Sequence, residues 1–273
     1  MIYNLNGNSS TSLPLISAHS RAFKYGDGIF ESMLAIGHKI RLEALHHQRM
    51  IDAAKALKIQ LPPAQFIWDS VNETLSHFNA TDIIRLRLTI WRESEGFYTP
   101  QQNKASFLIE ASVMESTPLP NPAIYLGIYT EILKPINILS AYKTLNSLVY
   151  VMAGIYKQEH GYDDCIVLNT NNAPCEVVSS NLFWTKESKL YTPSIECGCI
   201  AGTMRHWVIQ TAAVLKKEVV EGSYTLDDVR NADEIFITNA IQGITSVKQF
   251  EDKKYIHHQV AMELTRQLQL AQS

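Results

Sequence analysis

A chain of 273 residues, 46% hydrophobic and 19% charged, is long enough to bury a sizeable core as one large domain or two. Its formal charge of −3 gives no basic surplus, which argues against nucleic acid or an anionic membrane as a partner. The first twenty residues combine neither a basic start nor an apolar block, and no apolar run nears the ~20 residues of a membrane span, so the expected compartment is the cytoplasm. Four cysteines, Cys165, Cys175, Cys197 and Cys199, are few for this length and are expected to be reduced. The Cys197-Gly198-Cys199 run lacks a second Cys or His pair at zinc spacing and reads as loop packing, so no metal is expected.

In chain order, residues 29–36 and 39–42 read as a hairpin. Residues 45–57 follow with helical spacing of Leu45, Met50, Ala53, Ala54 and Leu57, and 67–78 offer a second helix. Residues 83–91 alternate Ile and Leu with Arg85, Arg87 and Thr89, and 105–114 are apolar and β-prone, so both read as strands. Pro118, Pro120 and Pro122 stop any regular element. A linker at 117–122 is therefore expected between a small domain at 1–116 and a larger one at 123–273.

Beyond it, 123–132 read as a strand and 145–160 as a helix ending on Gly161. Residues 164–169, a turn at Asn171-Asn172 and 176–185 suggest a second hairpin, followed by a strand at 189–192. A helix at 204–215 and a strand at 234–239 complete the pattern, with no internal repeat. The expected class is α+β.

Three pieces carry chemistry. Lys143 stands in Ala-Tyr-Lys143-Thr-Leu-Asn146, Glu176 precedes Asn181 by five residues, and Gly202-Thr203-Met204-Arg205 opens the helical stretch at 204. A lysine can hold the aldehyde of pyridoxal phosphate (PLP) as a Schiff base, a carboxylate can keep the pyridine nitrogen protonated, and a glycine turn at a helix start can bind phosphate. Each piece alone has an ordinary reading as a surface charge or a helix start. Their occurrence together, in this order, points to a PLP site.

These motifs resemble those of the class IV PLP-dependent aminotransferase family, the fold-type IV group. Three further segments resemble it too: Arg21 to Glu31 with Tyr25, Gly28 and Phe30; His46-His47-Gln48-Arg49; and Ala232 to Ala240 with Thr238 and Asn239. The resemblance implies a two-domain fold, a small N-terminal α/β sandwich and a larger C-terminal β-barrel-like domain, and a homodimer acting on a small amino substrate. It implies Lys143 as Schiff-base lysine and proton shuttle, Glu176 at the pyridine nitrogen, and Arg49, Gly202, Thr203, Met204, Asn239 and Ala240 around the cofactor. Tyr25 and Phe30 would line the site, though both also read as core aromatics.

Family membership does not choose the reaction. The turn at Asn239-Ala240 is similar to that of the family's aminodeoxychorismate lyases, which eliminate pyruvate to leave 4-aminobenzoate for folate synthesis, and Ser32 keeps one hydroxyl of their pattern. Glu31, by contrast, resembles the transaminases, so Glu31 and Ser32 both count as candidate catalytic residues. Arg85, Arg87 and Arg92 are candidates for holding a carboxylate substrate, or a solvated strand face. Lyase activity is the preferred reading, with a branched-chain or D-amino acid aminotransferase using 2-oxoglutarate as the alternative. A PLP-binding protein without catalysis is the third reading, and it would need neither an electron sink nor a proton shuttle.

Overall fold

In a computed structural model the described residues are 1–115 and 121–271; residues 117–120 of the expected linker lie outside them. The chain divides into two compact units, Met1–Thr117 with Tyr142–Asn146, and Pro118–Ala141 with Ser147–Ser273.

The first unit holds β1 (Ile2–Leu5), β2 (Asn8–Ser10), α1 (Arg21–Tyr25), β3 (Gly28–Ile36), β4 (Lys39–Ile40), α2 (Glu43–Ala56), α3 (Ala64–Leu75), β5 (Ile83–Arg92) and β6 (Ala105–Val113). Its strands form one antiparallel sheet in the order β2-β1-β6-β5-β3-β4. Register explains its two faces. Ile29 pairs with Ile90 and Met33 with Leu86, and because side chains alternate along a strand these share the face that packs on Met50, Ala53, Ile67 and Val71 of α2 and α3. The opposite face carries Phe30, Ser32, Arg87, Thr89 and Glu110.

Tyr142–Asn146 belongs to this first unit and not, as the sequence reading has it, to the second. The Phe30 N–H donates to the Lys143 carbonyl at 2.8 Å and the Leu145 N–H to the Gly28 carbonyl at 2.9 Å. Gly28 allows this close approach, since a Cβ there would meet the Ile90 carbonyl and lie 2.7 Å from Leu145 Cδ1. Extended pairing at 143–145 also delays the helix expected from residue 145, which begins at Leu148.

The second unit holds β7 (Ile124–Lys134), α4 (Leu148–Glu159), β8 (Asp164–Asn169), β9 (Pro174–Val177), β10 (Asn181–Lys186), β11 (Lys189–Pro193), α5 (Thr203–Val214), β12 (Val219–Gly222), α6 (Leu226–Arg230), β13 (Glu234–Asn239), β14 (Gly243–Phe250), β15 (Lys253–Lys254) and α7 (Gln259–Leu270). Its curled mixed sheet runs β12-β11-β10-β13-β14-β7-β8-β9, with β15 beside β14. One face packs Phe183, Phe236 and Ile244 on Val208 of α5 and Leu264 of α7. The other packs Leu182, Trp184, Ile235 and Ile237 around Val229 of α6.

The α+β class and the barrel-like second sheet agree with expectation. The strand expected at 176–185 does not form as one piece. A turn closed by the Val177 N–H to the Ser180 carbonyl, 2.8 Å, ends β9, and β10 then pairs with β11 and β13 instead of β8.

Candidate active site

On the face of the first sheet opposite α2 and α3, the Lys143 Nζ lies 4.6 Å from the centroid of the Phe30 ring, and the Arg87 guanidinium lies 4.0 Å from the same ring. A planar guanidinium stacked on an aromatic keeps its donors at its rim, where they can fork to a carboxylate. Ser32, two residues along β3, sits opposite Arg87 in the ladder. Phe30, Ser32 and Arg87 are all partly exposed. Of the three candidate arginines, Arg85 is exposed, and Arg92 is buried against the Asp27 carboxylate, which also takes Arg21. Arg92 is therefore a fold residue here, its remaining donors on the Leu57 and Lys58 carbonyls and on Asn103 Oδ1. The ring of Tyr25 has Tyr98 and Arg21 as neighbours, at 5.5 and 4.9 Å.

Glu31 corrects an expectation. Lying between Phe30 and Ser32, it points to the other face of β3, where it is 4% exposed. Arg49 Nε and Nη2 reach its two oxygens at 2.8 and 2.5 Å, and His46 Nδ1 reaches Oε2 at 2.6 Å. Burial alone pushes this carboxyl up, but the Arg49 charge and hydrogen bonds, with His46, overcome it and hold the pKa at about 2. Ionised and engaged on both oxygens, this carboxylate positions Arg49.

Glu31→Gln is accordingly expected to destabilise the protein by about 3–5 kcal/mol, the usual cost of removing one member of a buried ion pair. Because the folded carboxyl lies below its ordinary value of 4.5, its contribution is complete above that value and is lost as pH falls toward 2. Urea unfolding as a function of pH checks this. Wild type should lose stability in that window and the variant lose less; a wild-type profile flat from about pH 5 to pH 3 would contradict the pairing.

In the second unit, Glu176 on β9 is 2% exposed. Its Oε1 accepts from Lys134 Nζ and from the Tyr150 hydroxyl at 2.7 Å, and its Oε2 accepts from the Ile200 N–H at 2.9 Å. The Ile200 carbonyl in turn takes the Asn181 Nδ2 at 2.8 Å and the Gly202 N–H at 2.8 Å. The backbone of one residue, Ile200, thus ties Glu176 to the turn that opens α5. Gly202, the N-cap of α5, has no side chain to fold over the first-turn amides of Thr203 and Met204, and a Cβ there would collide with Asn181 Oδ1. That cradle fits a small anion at the helix's positive end. Arg205 faces elsewhere, toward Glu221 and the Pro193 carbonyl.

Asn239 acts on its own turn. Its Oδ1 accepts from the Ile241 and Gln242 amides at 3.0 and 2.7 Å, and its Nδ2 reaches Ser180 Oγ at 3.0 Å. Cys197 and Cys199 are buried with their thiols near the Gly222 and Ser194 carbonyls. Burial pushes the Cys199 thiol up to about 12. Among the described residues no group of three or more His, Cys, Asp or Glu could hold a metal ion, and no helix is long and apolar enough to cross a membrane.

The motifs led to Lys143, Glu176, Gly202 and the His46 and Arg49 pair; they gave no sign of Lys134 or Tyr150. Lys134 closes a β7 run that reads as an ordinary edge of apolar and charged residues, and its partner is 42 residues away. His46 had a signal, its i+3 spacing to Arg49, which puts both on one face of α2.

The family profile for amino-transferase class IV matches residues 28–250. The chain belongs to that family. A class IV relative from Methanocaldococcus jannaschii, provisionally named a branched-chain-amino-acid aminotransferase, is 31% identical over 257 residues, covering 93% of this chain and 88% of the relative. The aminodeoxychorismate lyase of Vibrio harveyi is 26% identical over 253 residues, covering 89% of each. Among solved class IV folds, the branched-chain aminotransferase of Thermoproteus uzoniensis with norvaline superposes with a TM-score of 0.90 at 21% identity, over 100% of this chain and 96% of that one.

Proposed function

We propose that this class IV enzyme is a 4-amino-4-deoxychorismate lyase, releasing pyruvate and leaving 4-aminobenzoate. The observation that carries the reading is the shared face of Phe30, Ser32 and Arg87 with Lys143 over the Phe30 ring, and Glu31 turned away from it. The feature most like a transaminase in the sequence, Glu31, is thereby occupied with Arg49, and the hydroxyl of Ser32 takes its place beside the cationic groups.

Pyridoxal phosphate, the cofactor of the family, supplies an electron sink when bound. The cradle at Gly202 and the buried, ionisable Glu176 fit its phosphate and its ring nitrogen. Lys143 then anchors it and moves a proton at the substrate carbon next to the amine. Arg49, oriented by Glu31, adds charge for the phosphate, and Arg87 holds a substrate carboxylate by its fork. Ser32 delivers a proton to the departing enolpyruvyl group. Exposed Leu148, Val151 and Ile155 form an apolar stripe along α4 and support a homodimer.

The second reading, transamination of branched-chain substrates, is favoured by the higher identity to a relative named for it. A paired assay separates the two. Purified protein is given aminodeoxychorismate, following 4-aminobenzoate and pyruvate, and separately L- and D-amino acids with 2-oxoglutarate. The lyase rate is expected to exceed transamination of leucine, valine or D-alanine, and Ser32→Ala to lower the lyase rate by roughly 10²-fold and transamination less. A robust leucine or valine rate with no detectable 4-aminobenzoate would give the function to the second reading.

A further inference from the structure

Three donors surround the Glu176 carboxylate, and two of them come from side chains with no other evident task. Lys134, at the end of β7, has its Nζ on Oε1 and 3.3 Å from the Ser140 carbonyl. Tyr150, in the first turn of α4, donates its hydroxyl to the same Oε1, with the Lys134 Nζ 5.3 Å from its ring centroid. Side chains of the ion pair are only 7% and 3% exposed.

Such a cluster has a chemical consequence. A carboxylate offers about four acceptor positions. Among the described residues, Lys134, Tyr150 and the Ile200 amide use three, leaving one on Oε2. A buried carboxyl without a cation would take up a proton, and a protonated acid cannot hold a pyridinium. The neighbouring Cys175 and Cys199 thiols bring no competing negative charge, since burial pushes both up and keeps them neutral. Burial first, then the Glu176 charge, likewise keeps the Tyr150 hydroxyl protonated and so a donor.

We propose that Lys134 and Tyr150 are positioning residues for the cofactor's ring nitrogen. They orient the Glu176 carboxylate through Oε1, set a positive charge beside it and present one lone pair of Oε2, so that the proton shared with the pyridine stays on the pyridine. No atom is exchanged: the proton's place between two bases is what the pair sets. The inference rests on the reading of Glu176 as the ring-nitrogen partner, and it adds the groups that make that partner effective.

The test uses the PLP-loaded protein with ¹⁵N in the cofactor ring, reading the ring-nitrogen chemical shift by NMR alongside kcat, KM and thermal unfolding. Wild type should show a protonated ring nitrogen. Lys134→Met should move the signal toward the unprotonated form and lower kcat about tenfold or more at nearly constant KM, corresponding to at least one pKa unit between the two bases. Lys134→Arg should restore both, and Tyr150→Phe should give a smaller change in the same direction. A Lys134→Met protein with the wild-type shift and kcat would overturn the proposal. If that variant does not accumulate as folded protein, Lys134→Gln and Tyr150→Phe decide, and wild-type values in both overturn it equally. Glu176→Gln separates the two levels. A wild-type nitrogen shift in that variant sinks the reading of Glu176 itself, whereas a changed shift there with none in the Lys134 variants sinks only the role of Lys134 and Tyr150.

Discussion

Lys143→Ala is expected to lose turnover by at least about 10³-fold while remaining folded, because in the proposed function the side chain supplies both the covalent anchor and the proton relay. Its backbone, not its side chain, fixes the segment to the first unit: the Lys143 carbonyl accepts from the Phe30 N–H, a bond that alanine retains. Alanine removes the ammonium that lies over the Phe30 ring, a contact at the surface of the sheet. The thermal midpoint should therefore stay within about 2–4 °C of wild type, the shift that roughly 1 kcal/mol produces in a chain of this size. Steady-state assays with excess PLP, together with a melting curve, check both halves. Near wild-type turnover would remove Lys143 from the mechanism, and a collapsed melting curve would make its role structural.

Glu176→Gln should lower kcat by roughly 10²-fold, the scale seen when one group matched to a developing charge is removed. The structure adds a second effect. An amide cannot accept through both of its ends, so its NH₂ must face either Ile200 or the Lys134 and Tyr150 donors, and Lys134 loses its counter-charge. Stripping one partner from a buried pair costs about 3–5 kcal/mol, so this variant should melt well below wild type, unlike Lys143→Ala. Unchanged kcat under conditions where chemistry is limiting would place the ring-nitrogen contact on another residue. An unchanged melting curve would dispute the buried pair.

How much of this was readable from the chain follows from where each partner lies. Hairpins and helices with local periodicity, such as β3, α2, β5 and α5, stand close to where their patterns put them. Glu31 was misjudged through its neighbours in sequence, although strand alternation alone puts it on the face opposite Phe30 and Ser32. Arg92 could not be separated from Arg87 without knowing that Asp27 lies against it, 65 residues earlier. The same holds for Lys134 and Glu176, and for Lys143, whose segment crosses back to pair with Gly28 and Phe30. Nonlocal pairing also explains β10, since only its bonds to β13 show that the run after Glu176 leaves the β8 hairpin. The sequence carried the identity of the chemical groups; the fold decided which of them share a face.

The central claim is that Lys143, and no other lysine, carries the cofactor. Borohydride reduction of the PLP-loaded protein, followed by digestion and peptide mass spectrometry, reads this directly. The cofactor mass is expected on the peptide containing Lys143. Its appearance on Lys134, the buried lysine beside Glu176, or on no lysine at all, would contradict the account.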